Sequence, residues 1–256
     1  MVCVFDCETI PDIELVKKNY EITQDDEILI CEEVFFAQEE KTGSAFLPIP
    51  FHQVVTISAV ITDDFGNFKK VGTFPGKNEK EIIESFFKFV EANQPKLISF
   101  NGRNFDLPML FIRALKYNLS LPIYFDNTNK WENYRSRYSE NFHIDLIEVL
   151  GSYGAVRGLK LDVIAQMAGL PGKFDVHGDE VYKLYFDGEI KKIEEYCESD
   201  VLNTYWLWLK YELLKGNLLE KDYYSILNGM ADKLQKDKSY TKIFREFISK
   251  EMEENA

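Results

Sequence analysis

The chain has 256 residues, 45% of them hydrophobic, and carries 43 acidic against 30 basic residues for a formal net charge of −13. This composition suits one sizeable globular domain and excludes a chain that is disordered throughout. The negative charge argues against a protein that binds duplex DNA through a broadly basic surface. It does not exclude a local nucleic-acid groove, because bound divalent cations reverse the local charge.

The predicted elements alternate strands and helices first and are mostly helical later. The first half contains a buried strand over residues 1–8, an insertion of no clear period over about 11–50, a strand from 53 and its hairpin partner from 68. A helix capped by Asn78, a short buried strand over 96–100 and a helix to about 117 follow. The second half contains a helix stopped by Gly169, a long helix ended by Gly216 and a closing amphipathic helix. This pattern predicts an α/β fold with a mixed sheet flanked by helices, residues 217–256 forming a helical extension.

The cysteines and the hydropathy pattern indicate a chain outside the secretory pathway. None of the four cysteines has C-x2-C spacing, so we expect reduced thiols in the cytoplasm or another reducing intracellular compartment. The apolar start lacks a basic leader, and no run of 18 apolar residues predicts a membrane span.

Two carboxylates, Asp6 and Glu8, end the first predicted strand in "VFDCETIPD". Residues i and i+2 of a strand point to the same face, so both carboxylates project together. Such acidic triplets arise by chance in an acidic chain, but the preceding residues are apolar throughout, as in a central strand. Sites in α/β sheets lie at the ends of such strands.

Two later stretches carry further candidate residues. In "LISFNGRNFDLPML" a buried strand is followed by an Asn101–Gly102 turn and by Asp106 near the start of a helix, where a helix cap is the alternative interpretation. In "YCESD" Tyr196 and Asp200 lie one helical turn apart on one face, where an ordinary surface pair is the alternative. The intervening Glu198 is predicted to face solvent.

The four carboxylates Asp6, Glu8, Asp106 and Asp200 predict a metal site if the fold brings them together. At 4 Å each close pair repels by roughly 4 kcal/mol at an effective dielectric of 20. Mg²⁺ or Mn²⁺ removes that repulsion, because both ions prefer oxygen ligands. Two such ions about 3.5–4 Å apart suit in-line attack on a phosphodiester, so we expect a two-metal site.

The order Asp-x-Glu, N-x4-D and Tyr-x3-Asp resembles the three motifs of the DEDDy 3′–5′ exonucleases. The stretches "FDCETIPD", "SFNGRNFDLPML" and "YCESDVLNTYWLWL" are similar to the stand-alone predicted exonucleases related to the proofreading domain of family B DNA polymerases. The resemblance covers about residues 1–216 and implies a ribonuclease-H-like fold, with antiparallel first strands and then parallel ones. The histidine branch of these enzymes needs a histidine where this chain has Glu195, whereas Tyr196 fits the tyrosine branch.

The resemblance implies a role for each motif residue. Asp6 would bridge both metals, Glu8 and Asp200 would complete the shell of the first, and Asp106 would hold the second. Tyr196 would orient the attacking water, because an unperturbed phenol, with a pKa of about 10, is a poor base.

Substrate contacts are predicted from the residues beside these motifs. Asn101 and Phe105 would hold and stack the terminal nucleotide and Thr9 would touch it, with core packing as the alternative for Phe105 and a turn cap for Thr9. The aromatic and basic residues of "NKWENYRSRYSENFH", and Arg157 with Lys160, are further candidates for strand contact, with a solvated loop as the alternative.

We therefore predict a metal-dependent 3′–5′ exonuclease that acts on single-stranded nucleic acid with a free 3′ end, DNA being favoured over RNA, in replication or repair. An exoribonuclease, a non-catalytic nucleic-acid-binding or interaction module on the same fold, and an unrelated acidic interaction protein are the alternatives. Replication or repair proteins are the expected partners, and no membrane is expected.

Overall fold

The fold is that of a computed structural model, which describes residues 1–172 and 178–254 and contains, within those ranges, one five-stranded sheet. The strands are β1 (Val2–Pro11), β2 (His52–Thr62), β3 (Phe68–Thr73), β4 (Lys96–Ser99) and β5 (His143–Asp145). Their order is β3-β2-β1-β4-β5, with β1 antiparallel to β2 and parallel to β4. The predicted mixed sheet is confirmed, and β1 is its central strand.

Helices flank this sheet and dominate the second half of the chain. Over the described ranges they are α1 (Ile13–Asn19), α2 (Glu27–Thr42), α3 (Glu79–Asn93), α4 (Asp106–Tyr117), α5 (Pro122–Phe125), α6 (Leu146–Leu150), α7 (Leu161–Met167), α8 (Val181–Phe186), α9 (Ile190–Leu214), α10 (Glu220–Lys233) and α11 (Thr241–Glu254). Gly169 and Gly216 follow α7 and α9 with φ of 76° and 74°, so both predicted glycine stops are confirmed. No helix of these ranges is long and apolar enough to cross a membrane.

The insertion over about 11–50 contains two helices, where the sequence predicts at most a short one. Helix α2 has 16 residues. It packs Val34 against α1 in a small cluster of its own, while Cys31 belongs to a second cluster with α8. Because α2 buries residues toward two neighbours, its apolar residues do not form a single stripe, and the helical period is masked in the sequence.

The two faces of β1 pack against different helices, and this arrangement positions the candidate site. Val2 and Val4 belong to the core cluster formed with α9, whereas Cys3, Phe5 and Cys7 belong to the cluster formed with α3 and α4. Because side chains alternate along a strand, Asp6 and Glu8 continue the face that carries Val2 and Val4. Both carboxylates are therefore directed toward α9.

Helices α10 and α11 pack into the same core as β1 and α9. Tyr223 and Phe244 are buried in the cluster that also contains Val2 and Trp206, and the Trp206 indole N–H donates to the Tyr223 hydroxyl at 2.8 Å. A division of the chain at residue 216 stays a prediction, and the helices that follow it share the core of the preceding residues.

Candidate active site

Strand β1 continues to Pro11, so the predicted strand end at residue 8 is wrong, and Asp6 and Glu8 lie within the strand. The pairing of β1 with β2 shifts register beside them. Glu8 pairs with Thr56 and Thr9 with Val54, so the irregularity directly follows Glu8. Such bulges redirect side chains beside active sites. A carboxylate oxygen of Asp6, one of Glu8 and the sulfur of Cys197 lie within 4.8 Å of one another. The strand therefore brings its two carboxylates together, and α9 meets them there.

Tyr196 and Asp200 reach this point from α9, and both are buried. The Tyr196 hydroxyl is hydrogen-bonded to Asp200. Burial, followed by the negative charges of Asp200, Glu8 and Asp6, raises the pKa of Tyr196 well above its usual value. The phenol thus stays protonated at neutral pH among three carboxylates, and it is not an ordinary surface residue.

The prediction of a solvated Glu198 is wrong. Its side chain is 3% exposed and accepts a hydrogen bond from the Tyr240 hydroxyl at 2.9 Å. The Lys238 ammonium lies 2.8 Å from the same carboxylate. The segment between α10 and α11 covers this face of α9, which the spacing within α9 could not reveal.

Asp106 lies in the first turn of α4, close to the turn that follows β4. The N-cap position is Phe105, which makes no side-chain capping bond, so the cap interpretation of Asp106 is wrong. Asp106 is 3% exposed, and burial raises its pKa to about 7. Its Oδ1 atom has no hydrogen-bond partner in the described part of the chain.

The thiol of Cys7 links Asp106 to the rest of the site. Cys7 is hydrogen-bonded to Asp106, and burial and the charges of Asp106 and Asp6 raise the pKa of the thiol well above its usual value. Among the described residues, Asp106 and Asp200 are both outside the group of atoms within 4.8 Å that contains Asp6, Glu8 and Cys197. The charges of Asp6, Glu8 and Asp200 all act on Tyr196, and those of Asp6 and Asp106 act on Cys7, so Asp106 contacts this group of residues through Cys7.

The turn before Asp106 is closely packed. Asn101 has φ of 72°, a left-handed conformation that asparagine tolerates. A Cβ atom on Gly102 would lie 2.6 Å from the side chain of Ser99 and 3.4 Å from Oδ2 of Asp106. Only glycine fits this position without a shift of the neighbours, which explains the residue pair at this turn.

Asp145, at the end of β5, holds this turn and was not identified from the sequence. Its carboxylate accepts the backbone N–H groups of Asn101 at 2.7 Å and Arg103 at 2.9 Å. It also accepts the N–H of Ile147 at 3.2 Å and so caps α6. An aspartate between a buried strand and a helix is the signal that could have identified it.

The three predicted substrate residues lie in different surroundings. Thr9 forms a 2.9 Å hydrogen bond with the His52 ring, and Phe105 packs edge-on against that ring at 5.0 Å. Thr9 and Phe105 both line a cavity of about 770 Å³ that also reaches Glu8. The Asn101 side chain instead accepts from Asn104 within its own turn at 3.2 Å. His52 was not identified from the sequence, because it lies between the predicted insertion, which ends at about residue 50, and the strand predicted from residue 53.

The stretch over residues 129–143 divides between core and surface. Tyr134 is buried and donates a hydrogen bond to the carbonyl oxygen of Pro95 at 2.8 Å. Trp131 and Tyr138 are exposed, whereas Arg137 contacts the buried Glu148 at 2.8 Å. A strand channel along these residues stays a prediction.

The oxygen donors of β1 and α9 fit a hard divalent cation. Asp6 and Glu8 offer oxygen atoms within 4.8 Å of each other, and the charge of Asp200 acts on the same Cys197 as theirs. Burial, then the charges of Asp6 and Glu8, raises the pKa of the Cys197 thiol, which donates to the Asp6 carbonyl oxygen at 3.5 Å. The sulfur therefore stays protonated, and the remaining oxygen ligands suit Mg²⁺ or Mn²⁺.

Comparison with known proteins identifies the family. A family model described as "Predicted 3'-5' exonuclease related to the exonuclease domain of PolB" matches residues 44–250. The chain belongs to this family. The matched range contains Asp106, Tyr196 and Asp200, whereas Asp6 and Glu8 lie before it.

Relatives of this exonuclease family member include archaeal and fungal polymerases. The chain is 26% identical to a DNA polymerase of Archaeoglobus fulgidus over 69% of its own length and 23% of the relative's. It is 38% identical to DNA polymerase 1 of Sulfurisphaera ohwakuensis over 57% of its length and 16% of the relative's. It is 26% identical to the catalytic chain of DNA polymerase epsilon from Emericella nidulans over 62% of its length and 8% of the relative's. The chain thus spans less than a quarter of these relatives.

A solved structure shows the same fold. The family B DNA polymerase of Pyrobaculum calidifontis matches 97% of this chain and 27% of that chain, with a TM-score of 0.53 and 17% identity. The fold is ribonuclease-H-like, as the sequence resemblance implies.

Proposed function

We propose that the protein is a metal-dependent 3′–5′ exonuclease of the DEDDy type, which hydrolyses the terminal phosphodiester of single-stranded nucleic acid. The observation that carries this proposal is the meeting of Asp6 and Glu8, on the central strand, with Tyr196 and Asp200 of α9. These residues come from segments almost 190 positions apart in the chain, and they have the oxygen donors that phosphodiester hydrolysis with divalent ions requires.

Four carboxylates would hold the ions. Asp6, Glu8 and Asp200 would bind one Mg²⁺ or Mn²⁺, Asp6 would be shared with a second, and Asp106 would complete that second position. The partnerless oxygen of the buried Asp106 supports this role, since a buried acceptor without a donor is costly unless a ligand satisfies it. When bound, the ions supply neutralising charge, an activated water and stabilisation of the leaving oxygen.

Tyr196 would position the attacking water. Its single hydroxyl proton is engaged with Asp200, so its oxygen offers a lone pair that can accept a hydrogen bond from water. A phenol has an ordinary pKa of about 10, so it is protonated at neutral pH and is a poor general base there. The hydroxyl would thus orient the attacking water, whereas the bound ions would lower the pKa of that water.

We propose DNA as the substrate and replication or repair as the setting, because the similar proteins are DNA polymerases. We also propose a reducing intracellular compartment, since all four cysteines are free and buried. Proteins of replication or repair are the proposed partners.

The test uses single-stranded DNA and RNA labelled at the 3′ or the 5′ end, with Mg²⁺, Mn²⁺ or EDTA. We expect stepwise shortening from the 3′ end, faster on DNA, that stops in EDTA. Asp6→Asn should abolish hydrolysis, whereas Asp232→Asn, a change of an exposed aspartate on α10, should not. Faster shortening of RNA would identify an exoribonuclease instead.

Metal binding gives a second measurement on the same proteins. Calorimetric titration with Mn²⁺ should show stoichiometric binding that Asp106→Ala weakens and Asp232→Asn leaves unchanged. Undiminished hydrolysis by pure Asp6→Asn would contradict the residue assignment. Mn²⁺ binding without hydrolysis of any strand would instead indicate a non-catalytic module.

A further inference from the structure

The outer edge of β3 has backbone groups with which no strand of the described residues pairs. Strand β3 is the last strand of the sheet, and β2 is its neighbour on the inner side. The Phe74 N–H donates to the carbonyl oxygen of Ile57 in β2 at 2.9 Å. Because the direction of these groups alternates along an antiparallel strand, Val71 and Thr73 direct their N–H and C=O groups away from β2. A further strand can therefore pair with these two residues.

A cavity of about 380 Å³ lies beside this edge, between β3 and α3. Its lining is mostly apolar and includes Ala59 and Ile61 of β2 and Phe89 of α3. Gly72 of β3 also lines it, and a Cβ atom added there would meet nothing within 4 Å. The volume is within the range of about 300–1,000 Å³ that ligand sites have, so a large apolar side chain of a bound segment fits beside Gly72.

Lysines are concentrated next to this cavity, although the chain as a whole has a formal net charge of −13. The stretch over residues 68–80 contains four lysines, all exposed, which are Lys69, Lys70, Lys77 and Lys80. Its one carboxylate, that of Glu79, is buried and bound by Arg113. A negatively charged partner therefore complements this part of the surface.

The combination of these features favours a peptide over a second copy of this chain or a nucleic acid. A second copy paired edge to edge would bring its own Lys69 and Lys70 against these, and lysines on an edge oppose such pairing. A nucleic acid would neutralise the lysines, but it has neither a peptide backbone for Val71 and Thr73 nor an apolar side chain for the cavity. An acidic peptide strand satisfies the edge, the cavity and the charge together.

We propose that the outer edge of β3 is a docking site for an extended acidic segment of a partner protein. The segment adds a strand to the sheet through Val71 and Thr73 and places a large apolar side chain in the cavity beside Gly72. Main-chain hydrogen bonds of this kind supply affinity, and the cavity and the lysines supply specificity. The inference does not depend on the proposed exonuclease function, because none of these residues is a proposed metal ligand.

The test selects binders of the full chain from a displayed library of short random peptides. We expect the enriched peptides to combine aspartate or glutamate with a large apolar residue. The most enriched peptide is then synthesised with a fluorescein label, and its Kd is measured by fluorescence anisotropy. Amide hydrogen exchange of Val71 and Thr73 should become slower in the complex, because their N–H groups pair with the peptide.

Filling the cavity should weaken binding of the labelled peptide. Gly72→Leu should raise its Kd about 10- to 100-fold, because the new side chain occupies the space that the peptide side chain needs. Gly72 does not have a positive φ, so leucine is compatible with the backbone there. Gly229→Leu on α10, where an added Cβ would also meet nothing within 4 Å, is the matched control and should bind like the parent protein.

Reversal of the charge tests the lysines without changing the cavity lining of β2 and α3. The double variant Lys69→Glu with Lys70→Glu should raise Kd about 10-fold or more. The matched control is Lys17→Glu with Lys18→Glu on α1, which changes the net charge equally and should leave Kd near that of the parent. Far-ultraviolet circular dichroism verifies that each variant is folded.

Unchanged affinity in folded Gly72→Leu would overturn the proposal, as would unchanged amide exchange at Val71 and Thr73. Failure to enrich any peptide, or enrichment of neutral or basic ones, would also contradict it and would leave the lysines as protection of a free edge. Displacement of the peptide by single-stranded DNA that depends on Lys69 and Lys70 would assign this edge to nucleic acid instead. Dimerisation of the parent protein that Gly72→Leu abolishes would identify a second copy as the occupant.

Discussion

Among single residues, Tyr196 has the chemistry most restricted by its neighbours. Burial and three nearby carboxylates keep its hydroxyl protonated, and that hydroxyl is hydrogen-bonded to Asp200. A tyrosine on a helix would ordinarily be interpreted as a core or surface residue. Here its hydroxyl lies beside the predicted metal ligands, and its proposed role is to orient the attacking water and not to act as a base.

Removal of the Tyr196 hydroxyl should slow the chemical step. We expect Tyr196→Phe to lower the single-turnover rate about 10- to 100-fold, which corresponds to a lost hydrogen bond to a charged or reacting group. Mn²⁺ affinity should stay near that of the parent protein, because the carboxylates remain. Tyr224→Phe, which removes an exposed hydroxyl on α10, is the matched control. Equal single-turnover rates for both variants would refute a role for this hydroxyl.

Among the elements, a buried ionic network joins the insertion to the sheet and its helices. Arg113 of α4 donates to both oxygens of Glu79 at 2.6 Å and to Asp12 at 2.6 Å. Glu79 opens α3 and also accepts the backbone N–H of Val54 in β2, at 2.9 Å. Asp12 caps α1 through the N–H of Leu15. One guanidinium therefore connects α1, α3 and α4, close to both predicted motifs of the first half.

Loss of this guanidinium should destabilise the whole chain. Arg113→Met leaves Asp12 and Glu79 buried without their partner, and breaking a buried pair costs about 3–5 kcal/mol in the free energy of unfolding. Lys116→Met is the matched control, because Lys116 contacts the same Asp12 oxygen at 3.3 Å but is 46% exposed, and should cost less than about 1 kcal/mol. Urea unfolding followed by tryptophan fluorescence measures both. Similar small losses for the two variants would show that the network does not stabilise the fold.

A second connection between elements involves α9 and the C-terminal helices. Glu198 is bound by Tyr240 and Lys238, and it also accepts a hydrogen bond from Thr73 of β3 at 3.4 Å. The helix that carries Tyr196 and Asp200 is therefore supported from the sheet on one side and from residues beyond 216 on the other.

For the whole molecule, buried histidines make global stability depend on pH. Burial and the charge of Arg103 lower the pKa of His143 well below its usual value, and its ring is hydrogen-bonded to Ser99 at 2.8 Å. In the unfolded chain His143 titrates near a pH of about 6.5. Because the folded state keeps the ring neutral, its contribution to stability is complete above a pH of about 6.5 and declines as the pH falls.

The contribution of His143 can be isolated by substitution. Between pH 7.5 and 5.0, protonation of His143 in the unfolded chain should lower the free energy of unfolding of the parent protein by about 2 kcal/mol. His143→Gln cannot gain this proton. Its free energy of unfolding, measured by urea titration without metal, should therefore fall by about 2 kcal/mol less than that of the parent protein over the same pH interval. Comparison with the variant is needed because Asp106, whose pKa burial raises to about 7, contributes with the opposite sign. Parallel pH profiles for parent and variant would contradict the prediction.

Local spacing was sufficient to predict much of this protein. The apolar run before Asp6 predicts the central strand, the cap at Asn78 is made by its side chain to Glu81, and two glycines end α7 and α9 as expected. The i, i+2 and i, i+4 spacings predicted that Asp6 pairs with Glu8 and Tyr196 with Asp200. These properties depend on the geometry of one strand or one helix, which neighbouring residues determine.

The tertiary structure alone decided the remaining features. The burial of Glu198, the contact of Asp106 with Cys7, and the contact of Phe46 with Phe105 each depend on segments distant in sequence. No local period encodes such contacts, since they arise when separate elements bury their apolar faces against a common sheet. The sequence therefore determined which residues could form a site, and the packing of β1 against α9 on one face and α4 on the other decided which of them meet.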